Sequence, residues 1–173
     1  MTDLGQRLNS AALLQGTFVL RSGVTTDHYF DKYRFEADPE LLREVAEAMV
    51  PLLPADTDAL AGLELGGIPI ATMVGQVTGL PVRFIRKKAK EHGTNQLAEG
   101  GPVDGLRLTI IEDVVTSGGA ISLAVTALRE LGAIVTTAVC AIDRETGGFE
   151  ALAREGVELR PVFRASEFNG GSK

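Results

Sequence analysis

Apolar side chains recur at helical spacing over residues 4–14, and residues 17–20 then read as a short strand closed by Gly23. Residues 28–35 mix aromatic and charged side chains. Asp38 followed by Pro39 supplies a cap and a first turn for a helix running to about residue 53, where Pro51 and Pro54 end it. From residue 59 onward the pattern alternates: an apolar strand over 59–63, a Gly66-Gly67 turn, a helix over 68–77 and a strand over 81–85. A nearly continuous apolar run rich in branched residues follows over 106–111, then Gly118-Gly119, an amphipathic helix to Leu131 and an apolar strand over 134–142. Runs of this kind mark parallel strands covered on both faces, and the rhythm is that of an α/β protein. A helix over about 149–154 and a strand over 159–163 complete it, with residues 169–173 as a loose tail.

One stretch breaks the rhythm. Residues 87–105 are polar and glycine-bearing and follow neither period, which predicts a long mobile loop. Loops of that length in compact domains are usually functional or disordered, so the basic residues at its start need a role.

A chain of 173 residues suits one domain, 1–173, with a substantial core. Its 45% hydrophobic and 23% charged residues are those of a folded protein in water. The net charge of -6 argues against nucleic acid as a main partner. The single cysteine, Cys140, allows no internal disulfide and suggests the cytoplasm. No apolar stretch reaches the roughly 20 residues of a membrane-spanning helix, so no membrane role is expected.

Twenty glycines invite a nucleotide-binding reading, yet no two lie two positions apart, so G-x-G-x-x-G is absent, as is G-x-x-x-x-G-K-[ST]. Phosphate would have to be held elsewhere, and the candidate is I-I-E-D-V-V-T-S-G-G-A, Ile110 to Ala120. It reads as strand, turn and helix. Thr116, Ser117, Gly118, Gly119 and Ala120 can turn backbone N–H groups toward one point at the positive end of the helix, forming a monophosphate cradle. Glu112 and Asp113, just before Val114 and Val115, would stand at the carboxyl end of a central strand and face a sugar. His28, His92 and Cys140 make no convincing zinc set.

The segment from Ile110 to Ala120 resembles the 5-phosphoribosyl-1-pyrophosphate (PRPP) motif of the type I phosphoribosyltransferases. Three further segments resemble one branch of that family, the orotate phosphoribosyltransferases: F-V-L-R-S-G with Tyr29-Phe30-Asp31, R-K-K-A-K-E-H-G from Arg86 to Gly93, and D-R-E-T-G from Asp143 to Gly147. The resemblance implies a central, mostly parallel sheet flanked by helices, a small N-terminal hood over about 1–35 and a long flexible catalytic loop over about 87–105. It implies transfer of ribose 5-phosphate from PRPP to orotate in UMP synthesis, with Mg2+ bound through PRPP and no protein metal ligand. Lys87, Lys90, His92 and Asp113 would be catalytic. PRPP would meet Arg86, Lys87, Lys90, His92 and the run Glu112 to Ala120, and orotate would meet Arg21, Tyr29, Phe30, Thr116 and Arg144. The loop would serve the neighbouring subunit of a homodimer.

Elementary chemistry agrees with these roles. A flat anionic pyrimidine calls for guanidinium donors and an aromatic face, which Arg21, Arg144 and Phe30 offer. Departing pyrophosphate calls for cations, which the loop offers. The turn Glu64, Leu65, Gly66, Gly67 resembles the family's pyrophosphate loop but lacks the lysine many relatives carry, so its backbone N–H groups would bind unaided. A purine or other pyrimidine phosphoribosyltransferase would share the Glu112 to Ala120 motif but not the Arg21 and Arg86 to Gly93 segments, and a regulatory sugar-phosphate sensor would usually add a nucleic-acid-binding element.

Overall fold

The computed structural model describes residues 2–19, 23–87 and 97–169. Helix α1 (Asp3–Ala12) is capped by Thr2, whose hydroxyl accepts from the Gly5 N–H, and it buries Gly5, Leu8 and Ala12 along one face. Strands β1 (Leu13–Val19) and β2 (Thr25–Phe30) pair antiparallel as a separate two-stranded ribbon. Phe18 and Tyr29 pack on it with ring centroids 5.5 Å apart. Both strands are thus longer than or absent from the sequence pattern, because an exposed ribbon carries little apolar alternation. A short helix α2 (Tyr33–Glu36) follows, then α3 (Pro39–Met49), where the Asp38 carboxylate accepts from the N–H groups of Glu40 and Leu41. The predicted continuation to residue 53 tightens into a 3-10 turn, Val50–Leu52, around Pro51, whose missing N–H cannot extend an α-helix.

The remaining strands are β3 (Ala59–Leu63), β4 (Val82–Ile85), β5 (Ala98–Glu99), β6 (Arg107–Val115), β7 (Ile134–Asp143) and β8 (Glu158–Arg164), in one sheet of order β5-β4-β3-β6-β7-β8. All neighbours are parallel except β5, which runs antiparallel to β4. The connecting helices are α4 (Gly67–Thr78), α5 (Gly119–Glu130) and α6 (Gly148–Arg154), with α7 (Ala165–Asn169) last. Residues 98–99 therefore join the sheet inside the stretch expected to be irregular, and residue 169 closes a helix where a loose tail is expected.

Side chains alternate between two cores. Leu108, Ile110, Ala138 and Cys140 face α5 and α6, where Ile121, Val125, Leu128 and Leu152 meet them. Ile111, Val139 and Ile142 face the opposite layer, built from Leu8, Phe35, Val45, Met49 and Ile70. Burial on both faces is the reason these strands lack a polar side. The chain crosses from β3 toward β4 on one side and from β6 toward β7 and β8 on the other. The strand order thus reverses between β3 and β6, and a crevice opens at their carboxyl ends. Among the described residues no helix is long and apolar enough to cross a membrane.

Candidate active site

At that crevice lies a cleft of about 190 Å3. Its floor is the turn between β6 and α5. Gly118 adopts φ 79°, a left-handed conformation that lets the chain turn from strand into helix at little cost, and Thr116, Ser117, Gly119 and Ala120 are exposed around it. The N–H groups of the first turn of α5 have no intrahelical acceptor and open into the cleft with the positive end of the helix dipole. Gly148 supports the turn from behind, since a Cβ there would lie 2.5 Å from the Thr116 carbonyl oxygen.

The opposing wall is the turn after β3. Glu64, Leu65 and Lys87 line it, and the Lys87 N–H donates to the Glu64 carboxylate at 2.9 Å, tying the start of the loop to this turn. Gly66 and Gly67 are buried beneath. Their need for glycine is spatial: a Cβ on Gly66 would collide with the Asp113 carboxylate, and one on Gly67 with the Ile111 carbonyl.

Glu112 and Asp113 line the cleft with Val114 and Val115, but from inside β6 rather than after it, and both carboxyls are buried. Lys32 Nζ stands 2.5 Å from Asp113 Oδ2, and Asp113 Oδ1 accepts from the Val114 N–H. Glu36, also buried, brings a third carboxyl against Asp113. Burial raises the Glu36 carboxyl to about 8, helped by the neighbouring Asp113 charge. Burial likewise lifts Glu112 well above its ordinary range, with Asp113 adding to it. Burial opposes ionisation of Asp113 too, but its hydrogen bonds with Glu112 and Lys32 and the lysine's charge outweigh it, and Asp113 is lowered. Burial works against the Lys32 ammonium, and Asp113 more than restores it. The cluster thus biases Glu36 and Glu112 toward their neutral forms and Asp113 and Lys32 toward their charged ones.

A larger cavity of about 470 Å3 lies beside it, lined by Tyr29, Phe30 and Arg144 with Thr26, His28 and Phe168. The Arg144 guanidinium carbon is 5.9 Å from the Phe30 ring centroid. The two spaces are adjacent because β6 and β7 are paired: the Arg144 N–H donates to the Val115 carbonyl at 2.8 Å.

The expected residues thus fall into two groups. The Glu112 to Ala120 run, Glu64, Leu65 and Lys87 share the cleft, whereas Tyr29, Phe30 and Arg144 share the cavity and Thr116 lies on the cleft side. Arg86 lines neither; its N–H donates to the Leu97 carbonyl and its Nε is buried. Arg21, Lys90 and His92 lie outside the described residues. Lys32, Tyr33 and Glu36 escape sequence reasoning. Only a charged residue beside the apolar Phe35 hints at Glu36, and nothing in the sequence hints at Lys32.

The crevice thus joins the exposed start of α5 to a buried carboxyl pair on the adjoining strand, and residues 34–162 match the model of the phosphoribosyl transferase domain. An orotate phosphoribosyltransferase of Nocardioides sp. is 55% identical over 166 residues, covering 96% of this chain and 93% of that one. The orotate phosphoribosyltransferase of Mycobacterium tuberculosis, solved with Fe(III) dicitrate, superposes with a TM-score of 0.87 at 30% identity, covering 95% of this chain and 96% of that one. The same enzyme solved with PRPP gives 0.83 at 26% identity, covering 96% and 97%. The chain belongs to the phosphoribosyltransferase family, in its orotate branch.

Proposed function

We propose that the cleft and the cavity are the two halves of one active site, PRPP in the first and orotate in the second. The reaction is transfer of ribose 5-phosphate from PRPP to orotate, giving orotidine 5'-monophosphate and pyrophosphate in UMP synthesis. The observation that carries the assignment of the halves is their junction: the Arg144 N–H on the Val115 carbonyl sets the base side one strand away from the phosphate cradle.

In this reading the 5-phosphate takes the N–H groups and hydroxyls of Thr116 to Ala120. The ribose hydroxyls meet Glu112 and Asp113, whose carboxyl oxygens accept from them. The pyrophosphate lies along Glu64 to Gly67 and Lys87. Magnesium enters as part of the substrate, on PRPP. Among the described residues no group of three or more His, Cys, Asp and Glu side chains is arranged to hold a metal ion.

Orotate stacks on Phe30, with Tyr29 beside it and its carboxylate on Arg144; by the family's pattern Arg21 would supply a second guanidinium. N1 of orotate bonds to C1 of the ribose, the C1–O bond to pyrophosphate breaks with its electron pair leaving on pyrophosphate, and the N1 proton passes to an oxygen of the departing pyrophosphate. Positive charge developing on the sugar is stabilised by the Asp113 carboxylate, and negative charge on the leaving group by Lys87, Lys90 and His92. By the family's pattern the loop residues come from the neighbouring subunit of a homodimer. A cytoplasmic enzyme suits Cys140, a free thiol buried in β7.

The test is the fall in ultraviolet absorbance of orotate when magnesium and PRPP are added, with adenine, hypoxanthine and uracil in parallel. Consumption of orotate alone supports the reading. Consumption of a purine instead would overturn the base-side assignment while leaving the cradle in place.

A further inference from the structure

We infer that Lys32 and Glu36 are positioning residues for the transfer: together they clamp the Asp113 carboxylate in place for the sugar and fasten the hood to the pyrophosphate turn. The inference rests on the assignment of PRPP to the cleft.

Three elements distant in sequence meet at one buried point. Lys32 lies at the end of the hood, just before α2, with its side chain one-third exposed on the cleft wall and its ammonium on Asp113 Oδ2. Glu36 closes α2 and is 7% exposed. Gly66 is pressed so closely against both carboxyls that a Cβ there would strike Asp113 and stand 3.0 Å from Glu36 Oε1. No donor from another described residue reaches either Glu36 oxygen. Its available hydrogen bond is therefore a proton held between it and Asp113, because two ionised carboxylates at this range would repel strongly. Lys32 supplies the one positive charge, so the shared proton rests on Glu36 and the negative charge on Asp113. The charged groups facing the pair are Asp31 and Lys32 from the hood side and Glu112 from β6.

The clamp does two things for the reaction. It keeps Asp113 anionic although its side chain is 1% exposed, where an unpaired carboxyl would hold its proton. It also fixes the oxygens between an ammonium, a carboxyl and the Val114 N–H, so that the carboxylate meets the sugar without reorganising. Removing Lys32 leaves three carboxyls without a cation. Asp113 then takes up a proton at a higher pH than in the intact cluster, and less of it is present as the anion.

The experiment compares Lys32→Met, Lys32→Arg and Glu36→Gln with the wild-type chain by steady-state kinetics in PRPP and orotate across pH. Lys32→Met is expected to raise KM for PRPP by about tenfold or more, the worth of one charged hydrogen bond. It should also move the acid limb of kcat/KM upward by about one pH unit, since that shift corresponds to a tenfold change in the ionised fraction. The KM for orotate should change little, and Lys32→Arg should restore most of the loss. Glu36→Gln keeps a donor toward Asp113 and should hold KM for PRPP within about twofold of wild type. A Lys32→Met protein with a lower melting temperature but unchanged KM and acid limb would overturn the inference, leaving Lys32 a structural ion pair. If Lys32→Met fails to fold, Lys32→Gln, which also removes the charge but keeps a polar side chain, decides: an unchanged KM for PRPP and an unmoved acid limb there would also overturn it. A wild-type chain inactive toward orotate and PRPP would instead refute the underlying assignment of the cleft.

Discussion

Glu36 offers a sharp test of the electrostatics of the fold. Its carboxyl is raised from 4.5 to about 8 by burial and by Asp113, so in the folded chain it stays protonated at pH values where the unfolded chain has ionised it. The folded state then binds more protons than the unfolded state. The associated stability is present below pH 4.5 and is lost as pH rises toward 8, by up to about 1.4 kcal/mol per pH unit. From pH 6 to pH 8 the loss is on the order of 2–3 kcal/mol. For a chain of this size that corresponds to roughly 5–10 °C in melting temperature. Asp113 is lowered and Lys32 raised, so both keep their charge throughout this window and add no slope. Glu112 slopes in the same direction but is present in both proteins compared. Glu36→Gln removes the titration and keeps the shape and a hydrogen-bond donor. Calorimetric melting of the two proteins from pH 5 to pH 8.5 should give curves that diverge above pH 6, the wild type falling faster. Parallel curves would refute the reasoning and show that Glu36 ionises in the folded protein as it does in water.

Four other outcomes can be measured. Lys87→Ala should lower kcat by about a hundredfold, a loss typical of one donor to developing charge, without lowering the melting temperature. Arg144→Ala should cost about tenfold or more in kcat/KM for orotate, from loss of a charged hydrogen bond, while fluorescence titration shows PRPP binding intact. Mixing inactive Lys90→Ala and Asp113→Asn chains should regenerate activity if the loop acts across a dimer, and no recovery after subunit exchange would count against a shared site. Asp38→Ala should destabilise the chain by about 1 kcal/mol through loss of the α3 cap, read from denaturant midpoints, with kinetics unchanged.

Much of this protein is written in contiguous residues. The apolar runs that become β3, β6 and β7 announce strands covered on both faces, because a parallel sheet leaves no side for water. The small residues from Thr116 to Ala120 announce a tight turn from strand into helix, which Gly118 makes at positive φ. These features are local, so the sequence determines them by itself. The hood ribbon is less legible, since two exposed strands depend on each other more than on a core. Only the tertiary structure decided that Glu112 and Asp113 lie buried within β6 and that Lys32 and Glu36 close on Asp113. The physical reason is that a buried charge is defined by what surrounds it. Its counterion, its shared proton and the glycine that makes room for it come from three distant segments, which meet only when the sheet and its helices have packed.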